Sequence, residues 1–251
     1  SLPKCDRSFH EQPFPVQQRL RSKVVLNADL HKAIELLLPA PKLTSRNFPV
    51  SSSPTRLSDL ISVRWPVQNQ GEAIDLIEAL VAVQKPNVIM PIATVKLQEI
   101  VAMSVDIDCV DDDFDSNDFA VPSIEPHAQN EYREGLIFLI QLLARLLPEA
   151  AKLDRTSTRA LAESWKGVSG FLGVRLWMHA LRNSTLFTAE EAINGIQNLP
   201  RNIFWHIQRE LALVLLDRAS DAEPELVVRV EQRICTEADA YFARYTIDEG
   251  Q

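Results

Sequence analysis

The sequence predicts an all-α fold, in which antiparallel helical hairpins stack as an irregular bundle or as a HEAT-like solenoid. Apolar residues recur along most of the chain with a period of about 3.6, which is typical of helices that bury one face. No stretch alternates apolar and polar residues as sheet strands do. The chain has only 7 glycines in 251 residues, too few for a fold rich in tight turns. We therefore expect about two thirds of the residues to be helical, against a usual share of about one third.

Prolines and polar clusters divide the N-terminal part of the chain into helices. Pro39 and Pro41 end the first apolar stretch, because proline lacks the amide hydrogen that a helix interior needs. Serines and prolines dominate the next segment, which is typical of a loop. The predicted order is a helix over Pro15–Leu38, a loop over Thr44–Thr55, a short helix over Leu57–Val63, and helices over Gly71–Gln84 and Ile92–Met103.

Aspartates crowd the middle of the chain. Seven of the thirteen residues of Asp106–Asp118 are aspartate, and two prolines follow within a few residues. Dense negative charge favours an exposed, solvated loop. We predict an N-terminal helical sub-bundle over 1–105, an acidic linker or loop over 106–127 and a C-terminal helical stack over 128–251. One continuous domain stays open as the alternative.

Longer helices are predicted after the acidic segment. In Ala128–Leu147 one face would carry Tyr132 and four leucines, and the other sides are apolar too. A helix that is apolar nearly all round lies buried between neighbours. Further helices are predicted over Thr156–Arg182, from Thr188 to Leu199, over Arg201–Ala219 and over Glu223–Tyr245.

Local signals indicate how these helices start and pack. Thr188 and Glu191 have the spacing of a capping box, in which each side chain accepts the backbone amide of the other residue. The spacers between the C-terminal helices are short, so we expect successive helices to lie side by side and antiparallel. No repeat of fixed length recurs, so the solenoid is predicted from hairpin geometry alone.

Charge and cysteine usage narrow the classes of partner. The formal net charge is −8, which disfavours nucleic acid and anionic membrane surfaces as main partners. The longest apolar run, Gly135–Leu147, is shorter than the roughly 20 residues that a membrane helix needs. Cys5, Cys109 and Cys235 are odd in number and far apart, which favours a reducing, cytoplasmic location. The chain begins Ser-Leu-Pro-Lys, which we interpret as a processed chain or a segment of a longer one.

The sequence predicts no metal and no cofactor. The aspartate run does not fit an EF-hand, because a loop that starts at Asp111 places Ser116 where glycine is needed and Pro122 where glutamate is needed. Two His–Glu pairs stand four residues apart, a spacing that supplies only two of the three or four ligands of a zinc site. These pairs are His31 with Glu35 and His206 with Glu210.

Three glycines recur at every third residue within a helical pattern. Gly167, Gly170 and Gly173 form no phosphate loop, because no strand precedes them and no Lys-Ser or Lys-Thr pair follows. They also fail the pattern of a nucleophile elbow around Ser169. Their spacing predicts either the close approach of a neighbouring helix or a kink.

Arg175, His179 and Arg182 share one helix face. Together they could bind an anion or an acidic partner; the interpretation that we favour is a half-buried histidine flanked by arginines at the edge of the apolar stripe. The four tryptophans fall in or near apolar stripes and are predicted to anchor the core: Trp65, Trp165, Trp177 and Trp205.

Residues 174–218 carry one resemblance to a known class of proteins. The segment reads Arg-Leu-Trp-Met-His-Ala-Leu, then Phe-Thr-Ala-Glu-Glu-Ala, then Asn-Ile-Phe-Trp-His-Ile-Gln-Arg-Glu-Leu. It resembles the HEAT-like helical-repeat regions of very large bacterial conflict proteins of the anti-phage type, which stand beside sirtuin-like or NTPase effector domains. The resemblance covers less than a fifth of the chain. It implies a sensor, scaffold or oligomerisation role and assigns no functional residue.

These observations favour a non-enzymatic helical interaction or scaffold module, which binds a protein partner or itself and belongs to a larger polypeptide. Because the sequence contains no catalytic signature, we expect the chain to bind a partner rather than to convert a substrate. The alternative is an all-α enzyme with an active site between helices. Its acid–base candidates would be Glu131, Glu134, Glu163, His179 and His206.

Overall fold

Helices account for 72% of the residues that the structure, a computed structural model, describes, which confirms the predicted all-α class. The described residues are 13–22, 24–46, 56–64, 66, 69–111 and 114–245. Cys5, Trp65 and the later part of the predicted loop Thr44–Thr55 lie outside them.

Twelve α-helices follow one another along these described ranges. In chain order they are α1 (Pro13–Leu20), α2 (Asn27–Leu37), α3 (Gln70–Ala82), α4 (Pro86–Asp106), α5 (Ser116–Ala120), α6 (Leu136–Leu153), α7 (Arg155–Ser164), α8 (Leu172–Leu181), α9 (Ala189–Gln197), α10 (Arg201–His206), α11 (Gln208–Arg218) and α12 (Pro224–Tyr245). Short 3-10 helices cover Leu57–Asp59, Ala128–Tyr132, Trp165–Gly167 and Ala219–Asp221.

Helix α6 lies at the centre of the bundle. It contacts α2, α3, α4, α5, α7 and α8, and all five residues from Leu136 to Ile140 are buried. A helix in that position has no solvent-facing side in its first turns, which explains why its sequence is apolar nearly all round. The predicted burial of this segment is confirmed.

One cluster of buried side chains extends through both halves of the chain. It runs from Val16 on α1 to Val230 on α12, and Val121 and Ile124 of the acidic segment belong to it. The segment 106–127 therefore contributes to the core itself.

Two predicted tryptophan anchors lie in this core. Trp165 is fully buried, and its indole Nε1 donates a hydrogen bond of 3.1 Å to the Thr94 hydroxyl of α4. Trp177 is buried as well, whereas Trp205 is partly buried against the core.

Helix α4 is long and apolar enough to cross a membrane by length and composition alone. Within its most apolar window, 44% of the residues are buried in the protein. The helix packs against α6 and α2, and Leu97 and Ile100 on its inner side belong to the common core. Its position in the bundle accounts for its composition.

A short hairpin interrupts the helical architecture, so the expectation of no sheet was wrong. Strand β1 (Lys42–Ser45) pairs antiparallel with β2 (Ile61–Arg64), and the Thr44 hydroxyl lies 3.0 Å from that of Ser62 across the pair. The predicted loop thus begins inside a strand, and the predicted short helix over Leu57–Val63 ends at Asp59. Four residues are too few for an alternation pattern to register.

The predicted helix over Pro15–Leu38 is two helices. Between α1 and α2, the Ser22 hydroxyl donates to the Val24 carbonyl at 2.7 Å, and the Asp29 carboxylate accepts the amide of Leu26 at 3.2 Å. Side chains that bond to nearby backbone groups compete with the helix ladder, and here they start a second helix.

The predicted helices over Ala128–Leu147 and Arg201–Ala219 are also interrupted. Gly135, with a φ of 70°, separates the first 3-10 turn from α6. Tyr132 consequently points into solvent, 84% exposed, and its predicted place on the apolar face was wrong. The second helix bends at Ile207, between α10 and α11.

The predicted capping box at the start of α9 is confirmed. The Thr188 hydroxyl accepts the Glu191 amide at 3.1 Å, and the Glu191 carboxylate accepts the Thr188 amide at 2.8 Å. Glu191 also pairs with Arg159 of α7, so the cap joins two helices.

The glycine-rich stretch breaks the predicted helix over Thr156–Arg182 into α7 and α8, which confirms the kink. Gly170 has a φ of 74°, and a Cβ built there would lie 2.3 Å from an Asp115 carboxylate oxygen. A Cβ on Gly173 would lie 2.4 Å from the Trp165 carbonyl oxygen, whereas a Cβ on Gly167 would meet nothing within 4 Å. The backbone geometry and the close neighbours therefore require glycine at positions 170 and 173 but not at position 167.

These contrasts predict different outcomes for two alanine substitutions. Gly170→Ala should lower the free energy of unfolding by about 2 kcal/mol or more, because a left-handed alanine costs about 1–2 kcal/mol and the new methyl group also displaces Asp115. Gly167→Ala should stay within about 1 kcal/mol of wild type. Urea unfolding followed by circular dichroism measures both; equal losses in the two variants would contradict the prediction.

Candidate functional site

The acidic segment is held against α8 by a buried carboxylate. Asp115 is 2% exposed, and its two oxygens accept the amides of Asn117 and Phe171, each at 2.8 Å. Burial raises the pKa of Asp115, against the opposing effect of these amide bonds. The prediction of a solvated loop over Asp106–Asp118 was therefore wrong at this residue, which ties the segment to the start of α8.

Arg175 of α8 holds the next part of the segment. Its Nε and Nη2 donate to Glu210 Oε1 of α11 at 3.0 and 2.8 Å. Its Nη1 donates to Asp118 Oδ1 at 2.6 Å and to the Val121 carbonyl at 2.7 Å, and Nη2 also reaches the Pro122 carbonyl at 3.2 Å. A guanidinium has five N–H groups, and these five bonds account for all of them.

The Arg175–Glu210 pair lies in the protein interior. Arg175 is 4% exposed and Glu210 is 3% exposed. Burial disfavours the charged guanidinium, but Glu210 and Asp118 outweigh it and raise the pKa of Arg175. A buried ion pair of this kind is costly to break, because removing one partner leaves the other charge desolvated and alone.

One turn further along α8, His179 and Arg182 hold Glu125. The His179 Nδ1 lies 2.9 Å from Glu125 Oε1, and Arg182 pairs with the same carboxylate and, at 2.5 Å, with Asp217 of α11. The hydrogen bond from His179 is the largest cause that lowers the pKa of Glu125 to about 2, with Arg182 adding to it.

The predicted face of Arg175, His179 and Arg182 is thus committed to carboxylates of the chain itself. His179 is a half-buried histidine with an internal partner, as the favoured interpretation had it. Arg175 lies deeper than the predicted edge position and has no N–H left for an external ligand. The face fastens the segment around 118–125 to α8 and α11.

The acid–base candidates of the sequence lie on several different elements of the fold. Glu131 and Glu134 are exposed on the loop before α6, and Glu163 pairs with Lys166. His206 stacks on Phe171 with ring centroids 4.1 Å apart. The remaining candidate, His179, is bound to Glu125 within the chain.

The predicted His–Glu pairs do not assemble with further ligands. Glu210 turns to Arg175, while His31 and Glu35 lie on the exposed side of α2. Within the ranges that the structure describes, no group of three His, Cys, Asp or Glu side chains could hold a metal ion.

A pocket of about 270 Å³ opens directly above the Arg175–Glu210 pair. Phe119 of α5, 66% exposed, stands at its rim. Arg133 and Arg209 are exposed at the pocket, and neither pairs with a carboxylate among the residues described. The remaining lining comes from Asp118, Val121, Pro122, Arg175, His206 and Glu210.

The surroundings of the pocket are rich in exposed aromatic rings. Phe114, 44% exposed, lies 6.0 Å from Phe119 between ring centroids, and the exposed Tyr132 precedes Arg133 in the chain. Sequence reasoning missed these residues, because single aromatics in an acidic loop and isolated arginines carry no periodic signal. The proximity of α5, the 3-10 turn and α11 arises only in the folded chain.

Comparisons with known proteins give one relative. The chain is 28% identical over 236 residues to a protein of Sinorhizobium fredii described as "Uncharacterized protein y4cA". The match covers 92% of this chain and 20% of that protein, so the chain spans about a fifth of the relative's length. No family model matches the chain. No solved structure matches it either.

The buried ion pair predicts a large cost for Arg175→Met. We expect a loss of about 3–5 kcal/mol in the free energy of unfolding, because Glu210 is left buried and unpaired. The double variant Arg175→Met/Glu210→Met should recover part of the loss. Arg145→Met, which breaks the exposed pair with Glu78, is the control and should cost less than about 1 kcal/mol. Urea titration gives all three values; similar losses at Arg175 and Arg145 would refute the interpretation.

The lowered pKa of Glu125 predicts an acid-dependent contribution to stability. Since the folded pKa is about 2 against an ordinary value of 4.5, the contribution is complete above pH 4.5 and is lost as pH falls toward 2. Glu125→Gln should therefore be less stable than wild type at pH 6, with a difference that shrinks between pH 5 and pH 2.5. Urea midpoints across that pH range test this, and a constant difference would count against it.

Proposed function

We propose that this chain is a non-enzymatic helical protein–protein interaction or scaffold module. The observation that carries the proposal is the pocket above Arg175, where the exposed Phe119, with Phe114 beside it, accompanies two arginines that have no carboxylate partner among the described residues. Aromatic residues and arginine dominate the energetics of protein interfaces, where they fill or line pockets. Tyr132 and Phe119 would lose their solvent exposure in such an interface.

The surrounding architecture supports a rigid binding surface. Arg175, Asp115 and Glu125 fix the acidic segment that carries Phe119, so the rim needs no ordering on binding. A preorganised surface loses little conformational entropy when it binds a partner, and this small loss favours tight binding.

We further propose that the module belongs to a larger bacterial polypeptide. The support is the relative from Sinorhizobium fredii, of which this chain spans about a fifth. A role in bacterial defence rests on the resemblance of residues 174–218 to repeat regions of conflict proteins. A cytoplasmic location rests on cysteine usage, with Cys109 and Cys235 both free.

The alternative, an all-α enzyme, would need a titratable group at a pocket. Asp115 is a buried carboxylate with a raised pKa, yet both of its oxygens are bonded to backbone amides of the chain itself. Glu210 does line a pocket but is bound by Arg175. No specific observation in the described part of the chain favours catalysis over binding.

Site-specific photocrosslinking in the native host tests the interaction function. A photoreactive phenylalanine analogue in place of Tyr132 should give a discrete adduct with a protein, because this side chain faces the proposed partner. The same analogue in place of Leu216, which is 78% exposed on α11, is the control and should give none.

Two results would contradict the proposed function. The first is the absence of any protein adduct at Tyr132 under conditions in which the analogue is incorporated and the protein is folded. The second is an identical set of adducts at Tyr132 and Leu216, which would indicate random collision.

A further inference from the structure

We propose that the pocket above Arg175 binds an acidic protein segment, with a carboxylate of the partner on Arg133 and Arg209 and an apolar side chain of the partner against Phe119. The inference rests on the proposed interaction function and names the chemistry of the partner.

Some of the charges at the pocket are paired within the chain and others are not. Arg175 uses all five of its N–H groups within the chain, and Asp118 and Glu210 are the carboxylates that it occupies. Arg175 in this cluster of one cation and two anions therefore has no N–H group left to bind a ligand. Arg133 and Arg209 are exposed and have no carboxylate partner among the described residues, so they are the cations left to bind one.

The lining of the pocket carries an excess of positive charge. Three arginines and two carboxylates line it, which leaves one excess positive charge in a chain whose net charge is −8. A positive site on an acidic protein selects an anionic group and orients it, since the rest of the surface repels that group.

The size and shape of the pocket suit side chains of a partner protein. A volume of about 270 Å³ accommodates one or two side chains and no extended strand of nucleotides. Guanidinium groups bind carboxylates through paired N–H donors, and Arg133 and Arg209 bring two such groups to one opening. Phe119 and its neighbour Phe114 supply an apolar wall beside them.

The number of free cations at the pocket distinguishes a peptide from a nucleic acid as the ligand. Nucleic-acid affinity arises from many simultaneous phosphate contacts and requires an extended basic surface. Here the pocket offers two free arginines on a protein whose own net charge is −8, and the carboxylate of Asp118 lies within the same pocket. A short acidic segment with one apolar anchor fits this arrangement and a phosphate backbone does not.

Fluorescence anisotropy with defined peptides tests the proposal. The probe is a labelled twelve-residue Gly/Ser peptide with Glu-Phe-Glu at its centre; matched peptides carry Gln-Phe-Gln or Glu-Ala-Glu. Wild-type protein should bind the first peptide at least tenfold more tightly than either of the others. Replacing both arginines (Arg133→Gln/Arg209→Gln) should weaken its binding at least tenfold.

The control is Arg21→Gln/Arg229→Gln, which removes two exposed arginines from elsewhere and changes the net charge equally. It should leave peptide binding within twofold of wild type. Both double variants should unfold at the wild-type urea midpoint, because none of the four side chains is buried or ion-paired in the described structure.

Several outcomes would overturn the inference. These are failure of wild type to bind the Glu-Phe-Glu peptide, equal weakening in the two double variants, or tighter binding of a twelve-residue oligothymidylate through the same arginines. If a protein adduct forms at Tyr132 while the acidic peptide does not bind, the interaction function stands and the acidic chemistry is refuted. If the peptide binds and no adduct forms, the site is real and its use as an interface in the host is refuted.

Discussion

The Arg175 guanidinium joins three parts of the chain that lie far apart in sequence. Its bonds reach Glu210, 35 residues later, and Asp118, 57 residues earlier. Because both Arg175 and Glu210 are buried, the charges stabilise the fold only while all partners stay in place. The segment that bears Phe119 is consequently fixed to α8 and α11. The part of the pocket that this segment lines is held in place by the same bonds.

Other arginines perform a related task at the ends of helices. Arg233 donates to three carbonyls at the end of α9 and just beyond it, those of Ile196, Gln197 and Leu199. Arg218 reaches the carbonyls of Arg182 and Phe187 after α8. The last carbonyls of a helix lack partners within it, and glycine-based turns often satisfy them. In a chain with 7 glycines, long cationic side chains from neighbouring helices replace such turns and hold the bundle together.

Periodic and local signals made part of this structure predictable. The all-round apolar character of α6 and the Thr188–Glu191 box depend on neighbours within one or two turns, and both predictions were confirmed. The partners of Arg175 and the burial of Asp115 depend on contacts across more than thirty residues, which periodicity does not encode. The composition of the aspartate run predicted that all of its residues would be solvated. Composition does not distinguish a single buried residue such as Asp115 from its exposed neighbours.

The arginines of the chain differ in whether a carboxylate or carbonyl of the chain itself already binds them. In the described chain, most arginines near the C-terminal helices bind internal carboxylates or carbonyls, as Arg159 and Arg182 do. A cation satisfied internally contributes to stability and presents little attraction outward. Arg133 and Arg209 have no such partner and share one opening beside exposed rings. Two unpaired guanidinium groups at one opening, on a protein of opposite net charge, are the groups that a specific acidic ligand would bind.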